Sequence, residues 1–188
     1  KGQTDKAKAP VKAAIDINAG ADQWQSVTNR YLSVNQANYS RDAKSVDRKI
    51  TYQSPEARNN IQEVKITHDE NTLYFLIKTE KDITPYDGKP NWMNLFIGTG
   101  EVKLQGWESY NFVVNQSVSG SKTTVSALDA EANATAVGQG DISIQGNYMQ
   151  LAIPLSLLGV TANDTGIYFK VADGVENYKD INDYYVTG

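Results

Sequence analysis

The sequence predicts an all-β chain: an antiparallel β-sandwich, of jelly-roll or immunoglobulin-like type, with one short helical turn. Three observations carry this expectation. Apolar residues alternate in short runs bounded by Gly, Pro, Asn and Asp. No stretch sustains a helical period. The aromatic set is skewed, with eleven Tyr and three Trp against four Phe. That skew suits strands, and it also suits sugar or peptide binding, because Tyr and Trp pair an apolar face with a polar tip.

Residues 1–10 are polar, lysine-rich and without periodicity, and read as a flexible leader or linker. Residues 11–188 then read as one domain, long enough to bury a core without covalent staples. Strand character begins over Val11 to Ile17, a turn follows over Asn18 to Asp22, and Trp24 to Val27 comes next, with Trp24 expected in the core. Residues 29–60 are weakly patterned, as in a long loop with short strands. Ile61, Val64 and Ile66 precede the turn at His68 to Asn71, and Leu73, Phe75 and Ile77 form the inward set of the returning strand. Further strands are expected at Trp92 to Ile97, Glu108 to Asn115 and Thr123 to Leu128. The Ala- and Gly-rich stretch Asp129 to Gly140 reads as a loop. Ile142 to Ile144 and Tyr148 to Ile153 form a hairpin about Gly146-Asn147. Pro154 to Gly159 reads as one helical turn, with Pro at its start and Gly at its end. Ile167 to Ala172 and Ile181 to Val186 close the set.

Composition excludes several chemistries. There is no Cys, hence no disulfide, thiolate metal site or cysteine nucleophile. A cysteine-free chain fits a bacterial envelope or cytosolic protein. The formal charge of -4 and the lack of a basic stripe exclude a phosphate-backbone partner such as nucleic acid. No apolar run reaches the roughly 18 residues of a membrane span. The one histidine, His68, sits in a polar turn and cannot supply the two or three imidazoles of a catalytic zinc. A triad base would need a buried orienting partner. Glu63 and Glu108 lie in strand-like segments, but nothing fixes the carboxyl separation that glycoside hydrolysis requires. The chain is therefore expected not to be an enzyme. Asp and Asn cluster at Asp16 to Asp22, Asp69 to Asn71 and Asp173 to Asp183. Such clusters can supply oxygen ligands to a structural calcium ion, although turn chemistry alone produces them too. Sequons occur at Asn38, Asn115, Asn133 and Asn163, a pattern too permissive to carry an argument.

Residues 83–115 hold the sharpest ambiguity. Trp92 follows a turn punctuated by Pro85, Gly88 and Pro90, and Trp107 follows Gly106. A tryptophan at a strand end beside a rigid loop can be a flat platform for a ligand. It can equally be the large plug of a core.

Several segments carry a resemblance to a known family. The opening Ile15-Asp16 to Asp22-Gln23-Trp24 is similar to "IDG…ADDW", and Ala57-Arg58-Asn59-Asn60-Ile61 to "ARND-I". His68 to Lys78, Ile83 to Tyr86, Asn91-Trp92-Met93 and Leu95 to Ile97 follow the same order. Gly106 to Phe112 resembles "GWEGYDF", Leu151 to Gly159 resembles "LAIPRSLLG", and Phe169 to Asp173 resembles "FKWAD". In this order the segments resemble family 9-like carbohydrate-binding modules, DOMON-type β-sandwiches of glycan-processing proteins, notably of Bacteroidetes. The resemblance implies a noncatalytic carbohydrate-binding module, extracellular or periplasmic, acting beside other domains of a larger glycan-processing protein, with calcium bound in some members. It implies Trp92 as stacking platform, with Tyr86 and Trp107 nearby, and hydrogen bonds to sugar from Arg58, Asn60 and Asp173. The chain departs from the pattern at Gly98 and Gly100, where relatives often keep acids. It departs again at Asn60, an amide for an acid, and at Val171, where relatives often have Trp. The alternative is a structural or interaction domain on the same scaffold, with its sugar site eroded.

Overall fold

The computed structural model describes residues 15–28, 30–32, 58–99, 110–163 and 166–174. These form an all-β domain built on one nine-stranded antiparallel sheet that curls into a half-barrel. The strands are β1 (Arg30–Leu32), β2 (Ile61–His68), β3 (Thr72–Thr79), β4 (Asn94–Gly98), β5 (Phe112–Ser119), β6 (Lys122–Leu128), β7 (Ala134–Gln145), β8 (Tyr148–Pro154) and β9 (Tyr168–Ala172). Their order across the sheet is β1-β2-β3-β8-β7-β6-β5-β4-β9. The sheet is continuous along this order.

Strand alternation decides which side chains are covered. Leu73, Phe75 and Ile77 of β3 all enter the main core, as their period-2 spacing predicts. So do Met149, Leu151 and Ile153 of β8, in register with Ile77, Phe75 and Leu73. The curl brings the two ends of the sheet over this same core. Tyr31 of β1 and Phe169 of β9 pack edge to face at 5.2 Å, and Phe75 meets Phe169 at 5.5 Å. A second, smaller cluster of Phe96, Tyr110, Val113 and Tyr168 lies on the opposite face of β4, β5 and β9. Both faces of β4 are thus covered, and all five of its residues are buried.

Among the described residues two 3₁₀ turns flank the strands. Leu155–Leu158 is the helical turn expected from sequence: Pro154 precedes it in extended conformation, and Gly159 ends it at φ 71°, a left-handed cap that glycine takes without strain. Ala21–Ser26 is a second such turn that no periodicity announced. It carries Trp24, which is 0% exposed. The indole Nε1 donates to Gln150 Oε1 at 2.8 Å, and Gln23 Nε2 donates to the same oxygen at 3.0 Å. Because Met149 and Leu151 point into the core, Gln150 points away from it. The segment from Asp16 to Trp24 is therefore fastened to the sheet face opposite the main core. Gln150 Nε2 completes the attachment by donating to the Ala19 carbonyl.

The largest correction concerns Asp129 to Gly140. Most of this stretch is strand: β7 begins at Ala134 and runs twelve residues. Its alanines and glycines have low β-propensity, yet the glycines fit close approaches. A Cβ at Gly140 would lie 2.7 Å from the Ala152 carbonyl oxygen, and one at Gly138 would lie 2.6 Å from a Leu157 methyl. Gly140→Ala meets rigid backbone and is expected to lower stability by about 2 kcal/mol. Gly138→Ala meets only the end of a leucine and should cost less than half of that, as urea unfolding of the two variants would show. Strand starts also shift: β4 begins at Asn94, after Trp92, and β5 begins at Phe112. Of the expected first strand, Ile15 to Ile17 lead into a turn rather than a ladder, and residues 11–14 lie outside the described residues. The expected strand at Ile181 to Val186 lies outside them too.

Candidate functional site: a clasp around Asp173

The register of β4 with β9 builds the site. Asn94 pairs with Ala172, so the next step outward sets Met93 beside Asp173. The Asp173 side chain is 0% exposed and works as a hub. Arg58 grips it with two parallel bonds, Nε to Oδ2 at 2.7 Å and Nη2 to Oδ1 at 2.9 Å. Asn59 Nδ2 donates to Oδ2 at 3.2 Å, and the Met93 backbone N–H donates to Oδ1 at 2.7 Å. A buried carboxylate is tolerated only when paired and hydrogen-bonded, and this one has four donors. Its fork-to-carboxylate geometry is the strong kind of charge-assisted bond.

The clasp extends through its partners. Arg58 Nη1 donates to Asp87 Oδ2 at 3.0 Å. Asn59 and Thr84 exchange bonds: Thr84 N–H donates to Asn59 Oδ1, and Asn59 Nδ2 to Thr84 Oγ1, each at 2.9 Å. The Thr84 carbonyl accepts from Trp92 Nε1 at 2.9 Å. Gly174 N–H donates to the Asn91 carbonyl. Buried Asn115 completes the other side, donating to the Met93 carbonyl at 2.8 Å while Thr123 Oγ1 donates to its Oδ1 at 2.6 Å. Three non-glycine residues here hold positive φ, Asn59 at 53°, Met93 at 43° and Asn115 at 79°. Such backbone persists only where surroundings fix it, and the interlocked bonds to Asp173, Thr84 and Met93 do so.

Electrostatics agree with the geometry. The hydrogen bond to Asp173 raises the Arg58 pKa, so the guanidinium stays charged. The Asp87 carboxyl is held below the usual carboxylate range, first by the Lys89 backbone N–H and also by Arg58. Its folded pKa is depressed, so its stabilising contribution is present above the unfolded value and lost as pH falls through the folded one. Both Asp87 and Arg58 are partly exposed, and water screens that pair.

Four of the six residues assigned to sugar by the resemblance therefore meet: Arg58, Tyr86, Trp92 and Asp173. Each already has partners within the protein. Trp92 is 0% exposed and belongs to the main core. It has no open face to stack on a ligand, so here it is a plug rather than a platform. Tyr86 packs on it edge to face at 5.5 Å and donates its hydroxyl proton to the Gln116 carbonyl. Arg58 is 35% exposed by side chain, but its guanidinium already serves two carboxylates. Asn60 stands outside the clasp, its Nδ2 donating to Glu80 Oε1 at 3.2 Å. Trp107 lies outside the described residues, as do Glu108 and Gly100. Gly98 is buried at the end of β4 opposite Tyr168, and Val171 packs against the main core opposite Leu95. Asn59, Thr84 and Met93 were given no site role from sequence, and Asn115 was noted only as a sequon. Only the turn chemistry of Pro85 to Gly88 pointed toward Asp87.

Among the described residues no three acidic or histidine side chains come together as a metal would require. Asp16 Oδ1 accepts from the Asn18 N–H, Asp69 accepts from the Asn71 and Thr72 N–H groups and from the Tyr74 hydroxyl, and Asp173 is filled by the clasp. These are turn and core roles; residues 175–183 of the third cluster lie outside the described residues. His68 Nδ1 donates to the Asp69 carbonyl, and Glu63 pairs with Arg30. No helix among the described residues is long and apolar enough to cross a membrane.

Comparison of the chain with protein-family models, curated proteins and solved structures finds no match, so the resemblance rests on the quoted motifs alone.

Proposed function

We propose that the chain is a noncatalytic structural or interaction module, a β-sandwich whose sugar-facing residues now clasp its own loops. The observation that carries this reading is the filled Asp173 carboxylate beside a fully buried Trp92. A sugar site needs an open aromatic face and polar groups with bonds to spare. Here the aromatic face is covered, and the acid accepts from four protein donors. Support for the sandwich comes from the curl, which sets β1 against β9 across one core. Neighbouring domains of a glycan-processing protein are the partners this reading favours, in the bacterial envelope or outside the cell.

The second reading is carbohydrate binding at the rim of the clasp, favoured by the partial exposure of Arg58 and Tyr86. Isothermal titration against a panel of oligosaccharides separates the two. The module reading predicts no saturable heat. Saturable binding with a Kd below about 1 mM that Arg58→Ala weakens would overturn it in favour of the glycan.

A further inference from the structure

Strand β7 is held differently along its length. Asp141 to Gln145 pair with β8, whereas among the described residues Ala134 to Gly140 pair with β6 alone. Every second residue of that first half turns its N–H and C=O away from β6, along an edge past Ala152, where the β7–β8 ladder stops; Leu157 of the turn that follows β8 lies against this edge at Gly138. Ala134 to Val137 are four consecutive exposed residues, so both faces of the ribbon are open. Val137, at 41% exposure, is a large apolar side chain in water.

We propose that this half of β7 docks a second copy of the chain, antiparallel, about a two-fold axis. Charge favours that occupant. Ala132 to Gly140 carries no ionisable side chain, while β1 carries Arg30 and β9 carries Lys170. In a two-fold pairing the segment meets itself, so neutral faces neutral and no like charges oppose. Small residues let the backbones close to ladder distance, and Val137 gains cover. The same strand sets a limit. Val137 is the extra residue of a bulge, between the pairs Val125–Gly138 and Ser126–Ala136, and bulges blunt edges. A pairing of about six residues also buries less than the roughly 800 Å² per partner of a stable complex. The dimer is therefore weak and closed, with a Kd on the order of 100 µM.

Sedimentation velocity of the whole chain from about 10 µM to about 1 mM tests this. The expected result is a reversible shift from monomer to dimer. Ala136→Lys should weaken it at least about tenfold by placing like charges across the axis. Gln62→Lys, the same charge change at an exposed site on β2, should not. Because the chain is net negative, an added lysine reduces general repulsion, so weakening by Ala136→Lys is specific to the edge. If that variant melts early by circular dichroism, Ala134→Lys takes its place at the exposed start of the strand. A chain that stays monomeric throughout, or a dimer that these β7 variants leave as strong as Gln62→Lys does, overturns the proposal.

Discussion

Trp92→Ala lowers the unfolding free energy by about 4 kcal/mol, with a melting temperature lower by roughly 10 °C. The indole is wholly buried, touches the core strands and closes a hydrogen bond to the Thr84 carbonyl. Removing it leaves a cavity among side chains that relax only partly, and it leaves an acceptor unmet. Trp92→Phe keeps most of the volume and should cost about 1 to 2 kcal/mol, mainly the lost bond. An exposed platform behaves otherwise: truncation would leave stability within about 0.5 kcal/mol of the parent. Urea unfolding of the three proteins distinguishes these outcomes.

The second large effect belongs to Asp173. Asp173→Ala strands the Met93 N–H, leaves the Asn59 amide only its bond to Thr84, and removes the main partner of Arg58. The expected loss is about 3 kcal/mol, near the lower end for breaking a buried pair, because the guanidinium can still reach water. Asp173→Asn preserves shape and one acceptor, and should cost about half as much. It still places an amide N–H against donors, so it is not neutral. If Asp173→Ala unfolds at the parent's urea midpoint, the clasp does not hold the loops.

Much of the sheet was legible because alternation is a local signal. Leu73, Phe75 and Ile77 announced β3, and the hairpin about Gly146-Asn147 announced β7 and β8. The first half of β7 was not legible. Its Ala and Gly residues look like loop, and the reason for Gly140 is a carbonyl on the neighbouring strand, at Ala152. The site divided along the same line. Motif order brought Arg58, Trp92 and Asp173 together as candidates, although Arg58 and Asp173 are 115 positions apart. Roles were beyond the motifs, since burial is a property of what covers a residue. Trp92 could have been platform or plug until Tyr86 and the main core were placed around it. Asn59 and Met93 gave no signal, because a left-handed backbone at a residue other than glycine is fixed by tertiary bonds.

The account's central claim is that Arg58 and Asp173 are spent on each other. A double-mutant cycle of Arg58→Ala with Asp173→Ala, read by equilibrium urea unfolding, measures that directly. The clasp predicts a coupling energy of about 1 to 3 kcal/mol for a bidentate, half-buried pair. Additive losses, with coupling within about 0.3 kcal/mol of zero, would contradict it.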